Sequence, residues 1–90
     1  MIVKYFATIR TYAGETERRL DDAPADLREL LTALAARYGT SFRRAVFSGA
    51  ELGGAIIILV NGRNVLHLDG LDTSLKADDE VSIFPMVAGG

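Results

Sequence analysis

Ninety residues, 49% of them hydrophobic and 24% charged, make one small domain that must bury its apolar surface efficiently to fold at all. A formal net charge of −2 excludes the strongly basic balance of a nucleic-acid binder, and the absence of cysteine excludes disulfides, thiolate nucleophiles and Cys-based metal sites. The one histidine, His67, has no ligand-type spacing around it and reads as a surface or loop residue. No secretory signal opens the chain, and the longest apolar run, 55–60, falls far short of a membrane span, so a cytoplasmic location is expected.

In chain order, residues 1–9 read as a strand, with Val3, Tyr5, Ala7 and Ile9 on its core face at period two. Ile2, Lys4, Phe6 and Thr8 take the other face. Ala13-Gly14 marks a turn and 16–20 a second, mostly solvated strand, together an N-terminal hairpin. Leu27, Leu30, Leu31, Leu34 and Tyr38 recur at helical spacing, which predicts a helix over 27–38 whose stripe packs in the core. Asp26 just ahead and Glu29 three residues later have capping-box spacing, and Gly39 supplies the stop. Residues 40–55 are ambiguous: 41–47 suits a short helix, while Ser48-Gly49 and Gly53-Gly54 suit a loop. A strand apolar on both faces follows at 56–60, then an Asn61-Gly62 turn, a short strand around 64–66 and an irregular polar stretch through Gly70. Lys76 to Glu80 turns the chain into a last strand, 81–85. A single helical stripe covers one face of a mixed sheet, so the expected class is α+β.

No Ser/His/Asp set, paired catalytic carboxylate motif or phosphate loop is present. The informative feature is Ala88-Gly89-Gly90, directly after the strand-like run. Two residues without Cβ reach backbone angles closed to others, so such a segment can thread a narrow channel and offer its α-carboxylate to another protein's active site. A frayed terminus has the same composition. From Glu51 onward six acids (Glu51, Asp69, Asp72, Asp78, Asp79, Glu80) face only Arg63 and Lys76, a balance that suits a basic partner or a solvated loop face.

The opening Val3-Lys4-Tyr5-Phe6-Ala7-Thr8-Ile9-Arg10 with Ala13-Gly14, and the central Val60-Asn61-Gly62, resemble the MoaD/ThiS family of ubiquitin-like sulfur carriers. The closing stretch from Leu75 through Asp78-Asp79-Glu80, Val81-Ser82-Ile83-Phe84-Pro85 and Met86 to Gly89-Gly90 carries the resemblance most strongly. The extended segment containing Leu66-His67-Leu68-Asp69-Gly70-Leu71 looks more like archaeal MoaD-like modifiers and CysO-type carriers.

The resemblance implies a β-grasp domain over 1–87, a mixed four- to five-stranded sheet packed on one main helix, with first and last strands parallel neighbours and a flexible 88–90 tail. It implies that Gly90, with Gly89 beside it, is the functional residue. An adenylating enzyme similar to ubiquitin-activating enzymes would use ATP to make an acyl-adenylate there, and a sulfur donor would convert it to a thiocarboxylate. The chain would bind no cofactor, hold no metal and catalyse nothing with its own side chains. Its implied partners are the activating enzyme and a sulfur-accepting synthase subunit, not nucleic acid or membrane. The first expectation is a MoaD-like small subunit in molybdopterin or tungstopterin synthesis. The alternatives are a CysO-type carrier for cysteine or another sulfur metabolite, and a modifier conjugated through Gly90 to lysines. A plain β-grasp interaction module with an incidental Gly-Gly is the remaining reading. With the implied strand order, Phe6, Leu59 and Phe84 become neighbours on the open sheet face, and Met86 also points outward. That patch is a candidate docking site for the activating enzyme, bordered by Asp78, Asp79 and Glu80, unless 40–55 folds over and buries it.

Overall fold

Along the chain the computed structural model, which describes residues 1–86, runs β1 (Ile2–Tyr5), α1 (Ala7–Ala13), β2 (Glu17–Arg19), α2 (Leu27–Tyr38), α3 (Thr40–Val46), β3 (Phe47–Ser48), β4 (Glu51–Leu52), β5 (Ile56–Val60), β6 (Arg63–Asn64) and β7 (Glu80–Pro85). Alternation sets the sheet. Val3 and Tyr5, Ile56, Ile58 and Val60, and Val81 and Ile83 bury on one face, while the residues between them face outward. The five-stranded sheet has the order β2-β1-β7-β5-β6. β1 and β7 are parallel, with Val3 opposite Val81 and Tyr5 opposite Ile83, as the expected fold requires. β5 lies antiparallel on the other side of β7, with Ile57 opposite Phe84.

α2 forms where the stripe predicts it. The Asp26 carboxylate accepts a hydrogen bond from the Glu29 N–H at 2.9 Å, and Leu27, Leu30, Leu31, Leu34 and Ala35 are buried against the sheet. α3 settles the ambiguous segment. Phe42 and Val46 are fully buried, and the Phe42 ring meets Tyr5 edge-on at 6.0 Å and Tyr38 at 5.0 Å. These contacts place α3 in the helical layer with α2, so it leaves the outer sheet face uncovered.

The expected strand over 1–9 stops at Tyr5. β2 begins opposite Lys4, so a longer β1 would outrun its antiparallel neighbour. The Phe6 N–H closes the parallel ladder on the Ile83 carbonyl at 3.1 Å, and Ala7 then turns through the left-handed region at φ 51. Ala7 is exposed, not in the core. Ile9 is buried as expected, but from a helix, sharing a face with Ala13 four residues on. Gly14, at φ 74, ends α1 by donating its N–H to the Arg10 carbonyl at 2.8 Å. The short strand expected at 64–66 also gives way after Asn64. The Asn64 side chain accepts from the Leu66 N–H at 2.9 Å and winds Val65–His67 into a 3₁₀ turn that leaves Leu66 and His67 exposed.

The hairpin of β3 and β4 is pinned at Gly53, which is buried and donates its N–H to the Val46 carbonyl at 2.8 Å. A Cβ there would be driven into the Ala45 carbonyl oxygen. Gly53→Ala is therefore expected to lower stability by roughly 1–3 kcal/mol, measured by denaturant unfolding, because backbone, not a side-chain tip, has to move.

Candidate functional site

The outer sheet face is built in rows by the register. Phe84 lies opposite Ile57, and its ring stacks on Phe6 with centroids 4.2 Å apart and planes 8° from parallel. In the next row Ser82 sits between Lys4 and Leu59. The row beyond begins with Glu80 opposite Ile2, and the Glu80 carboxylate reaches Lys4 Nζ at 2.6 Å. That hydrogen bond and the charge behind it raise the Lys4 pKa.

Of the predicted docking residues, Phe6 and Phe84 are thus in direct contact, and Leu59 is diagonal to Phe84. Met86 is half-exposed just beyond β7, its N–H bound to the Ala55 carbonyl at 2.8 Å. Phe6, Leu59 and Phe84 are half-buried through packing on one another and on the sheet. Sequence reasoning left Ile57 out of the patch although it faces Phe84 across the ladder; the signal was present, since 56–60 is apolar on both faces. Gly89 and Gly90, and the boundary expected at Val87 and Ala88, lie outside the described residues.

The acids expected at the rim have other duties. Asp79 is buried; one oxygen accepts from Asn61 Nδ2 at 2.8 Å and the other from the Lys76 N–H at 2.8 Å. Asn61, at φ 52, accepts the Glu80 N–H on its side-chain Oδ1 at 2.9 Å. The pair clamps the turn after β5 onto the turn before β7, and Glu80 is bound to Lys4. Of the three, Asp78 alone is exposed.

A second polar cluster ties α2 to the end of β1. The Tyr5 and Tyr38 hydroxyls meet at 2.8 Å, and Tyr38 donates to the Glu15 carboxylate, which also binds Arg18 at 2.8 Å. Burial, reinforced by Tyr38, pushes the Tyr5 pKa up. The hydrogen bond from Arg18, followed by that from Tyr38, holds the Glu15 carboxyl below its usual range. A depressed folded pKa stabilises the fold above the unfolded value and loses that contribution as pH falls through the folded one. Melting temperatures scanned from neutral to acid pH are expected to drop less for Glu15→Gln than for the parent protein.

Where β7 ends, an open groove of about 450 Å³ is framed by Thr8 and Tyr12 of α1, Arg44 of α3, Gly54, and the Pro85-Met86 corner. Neither this groove nor the sheet face pairs a nucleophile with a base.

The sequence profile of the ThiS family matches residues 3–90. Small archaeal modifier protein 3 of Haloferax volcanii is 40% identical over 90 residues, spanning 98% of this chain and 96% of that protein. Among solved structures, small archaeal modifier protein 1 of Methanosarcina acetivorans matches with a TM-score of 0.83 at 36% identity, over 99% of this chain and 94% of that one. A chain of the BexX/CysO complex of Amycolatopsis orientalis matches with a TM-score of 0.82 at 27% identity, over 99% and 98%.

Proposed function

The chain belongs to the ThiS family of ubiquitin-like sulfur carriers and has their β-grasp fold, and from that premise we propose that it carries sulfur on Gly90 as a thiocarboxylate. A carboxylate is a poor electrophile. In an activating enzyme, a Gly90 carboxylate oxygen attacks the α-phosphorus of ATP and pyrophosphate leaves, giving an acyl-adenylate. A sulfide-level nucleophile then displaces AMP at the carbonyl carbon, where glycine adds no bulk. The chain's side chains dock and orient; the partner performs the catalysis.

The observation that carries this reading is the outer sheet face. The Phe6–Phe84 stack with Ile57 and Leu59 forms an apolar patch that leads along β7 to Met86, four residues before Gly90. A partner seated there holds the strand from which Gly90 follows.

The recipient placed first is the pterin precursor of molybdopterin or tungstopterin, with the chain as a MoaD-like small subunit in the cytoplasm. The likeness to a chain of the BexX/CysO complex equally supports delivery to another sulfur metabolite. The likeness to an archaeal modifier protein supports conjugation of Gly90 to lysines. The test is intact mass after incubation with ATP, the activating enzyme and sulfide. Replacement of one oxygen by sulfur is expected, and an unchanged mass rejects the carrier reading. Adding lysine-bearing proteins or a pterin-synthase large subunit to the charged form then separates the recipients.

A further inference from the structure

Charge in this fold is unevenly spread between the two ends of the sheet. β1 and β7 run parallel, so both start at one end of the sheet and finish at the other. The starting end holds more carboxylates than bases: Asp78, Asp79 and Glu80 lead into β7, and Asp21 and Asp22 follow Leu20, whose N–H binds the Met1 carbonyl at 2.9 Å, against Arg19, Arg63 and Lys76. The finishing end gathers exposed arginines: Arg10 on α1, which starts where β1 stops, and Arg43 and Arg44 in the last turn of α3. Six residues of β7 separate the two ends, about 20 Å at the usual rise of a strand.

Among the described residues, Arg44 is the one charged residue lining the groove beside Tyr12 and Met86. Three carboxylates lie toward this end, and one of them, Glu17 opposite Lys4 on β2, does not line the groove. Glu15 is already bound to Arg18, and Glu51, opposite Ser48 across the hairpin, does not line the groove. The chain as a whole carries a net charge of −2, so an acidic partner is attracted only when the arginine end leads.

Resting on the carrier reading, we propose that the Arg10–Arg44 pole around the Tyr12–Met86 groove is a second contact surface that takes an acidic segment of the activating enzyme. Charge separation orients the encounter so that the Met86 end of β7 arrives first. A partner at this end of β7 is therefore acidic, the opposite of what the tally of acids after Glu51 predicts.

The experiment compares adenylation kinetics of the full chain, Arg44→Gln, Arg44→Glu and the control Arg19→Glu, at low and high salt. Arg19 is exposed on β2 opposite Ile2, at the other end of the sheet. Graded losses of kcat/KM are expected, reaching on the order of tenfold for Arg44→Glu, with kcat at saturation unchanged and the difference shrinking as salt rises. Equal losses for Arg19→Glu and Arg44→Glu, or a loss insensitive to salt, overturn the proposal. If the unaltered chain is not adenylated, the carrier reading fails instead. The pole is then read from amide chemical shifts on titration with a short polyglutamate peptide. Shifts centred on 8–12 and 43–54 support the surface, and shifts spread over every arginine reject it.

Discussion

Deleting Gly89 and Gly90 is expected to abolish thiocarboxylate formation completely while leaving the stability of the folded body within about 0.5 kcal/mol of the full chain. Among the described residues every buried core residue lies between Val3 and Ile83, and the two glycines removed have no side chains to pack. It does shift the terminal carboxylate by two residues, about 7 Å of extended chain, which withdraws it from any active site shaped for the longer tail. Intact mass after activation, alongside a denaturant melt, measures both halves of the expectation. Sulfur transfer by the truncated protein would remove Gly90 as the carrier residue. Gly90→Phe, which keeps the length and adds bulk beside the carbonyl, is expected to fail at the adenylation step.

The second large effect is at Phe84. Its ring stacks on Phe6 and faces Ile57 across the ladder while remaining half-buried, so truncation loses part of an aromatic pair without opening a sealed cavity. Phe84→Ala is expected to cost roughly 1–2 kcal/mol of stability. Its effect on docking is larger: an aromatic anchor at the centre of a patch contributes about 2 kcal/mol or more, so the dissociation constant for the activating enzyme rises about 30-fold. Phe42→Ala supplies the contrast. Phe42 is fully buried between Tyr5 and Tyr38, and its loss is expected to cost about 3–5 kcal/mol of stability, with no change in affinity once the protein is folded. Calorimetric titration together with chemical unfolding separates the two. A folded Phe84→Ala protein with unchanged affinity would end the sheet-face docking reading.

Regular patterns carried the parts of this fold that were legible in the sequence. The leucine stripe of α2 and its Asp26 cap are local signals, and each is found where the spacing placed it. The Phe6–Phe84 contact was reached by combining strand alternation with a strand order that the family resemblance implied. α1 was missed because Ile9 satisfies two periods at once, lying two residues from Ala7 and four from Ala13; the limits of the neighbouring strands decide between them, and those are not local. Asp79 read as a rim charge because its partner Asn61 lies 18 residues away. The position of the acids misled for a related reason. Asp78, Asp79 and Glu80 stand close to Gly89-Gly90 in sequence, yet one strand carries the chain from them to the other end of the sheet.

The place of β7 in the sheet bears on when this protein comes into being during synthesis. β7 is the central strand, between β1 and β5, and it is translated after both. Until the segment through Pro85 has left the ribosome, β1 and β5 have nothing to join them, and neither the core nor the outer face exists. The pairing of Val3 with Val81 spans nearly the whole chain, so folding waits on a late, long-range closure rather than on local hairpins. A nascent or prematurely ended chain that lacks β7 therefore has no assembled outer sheet face.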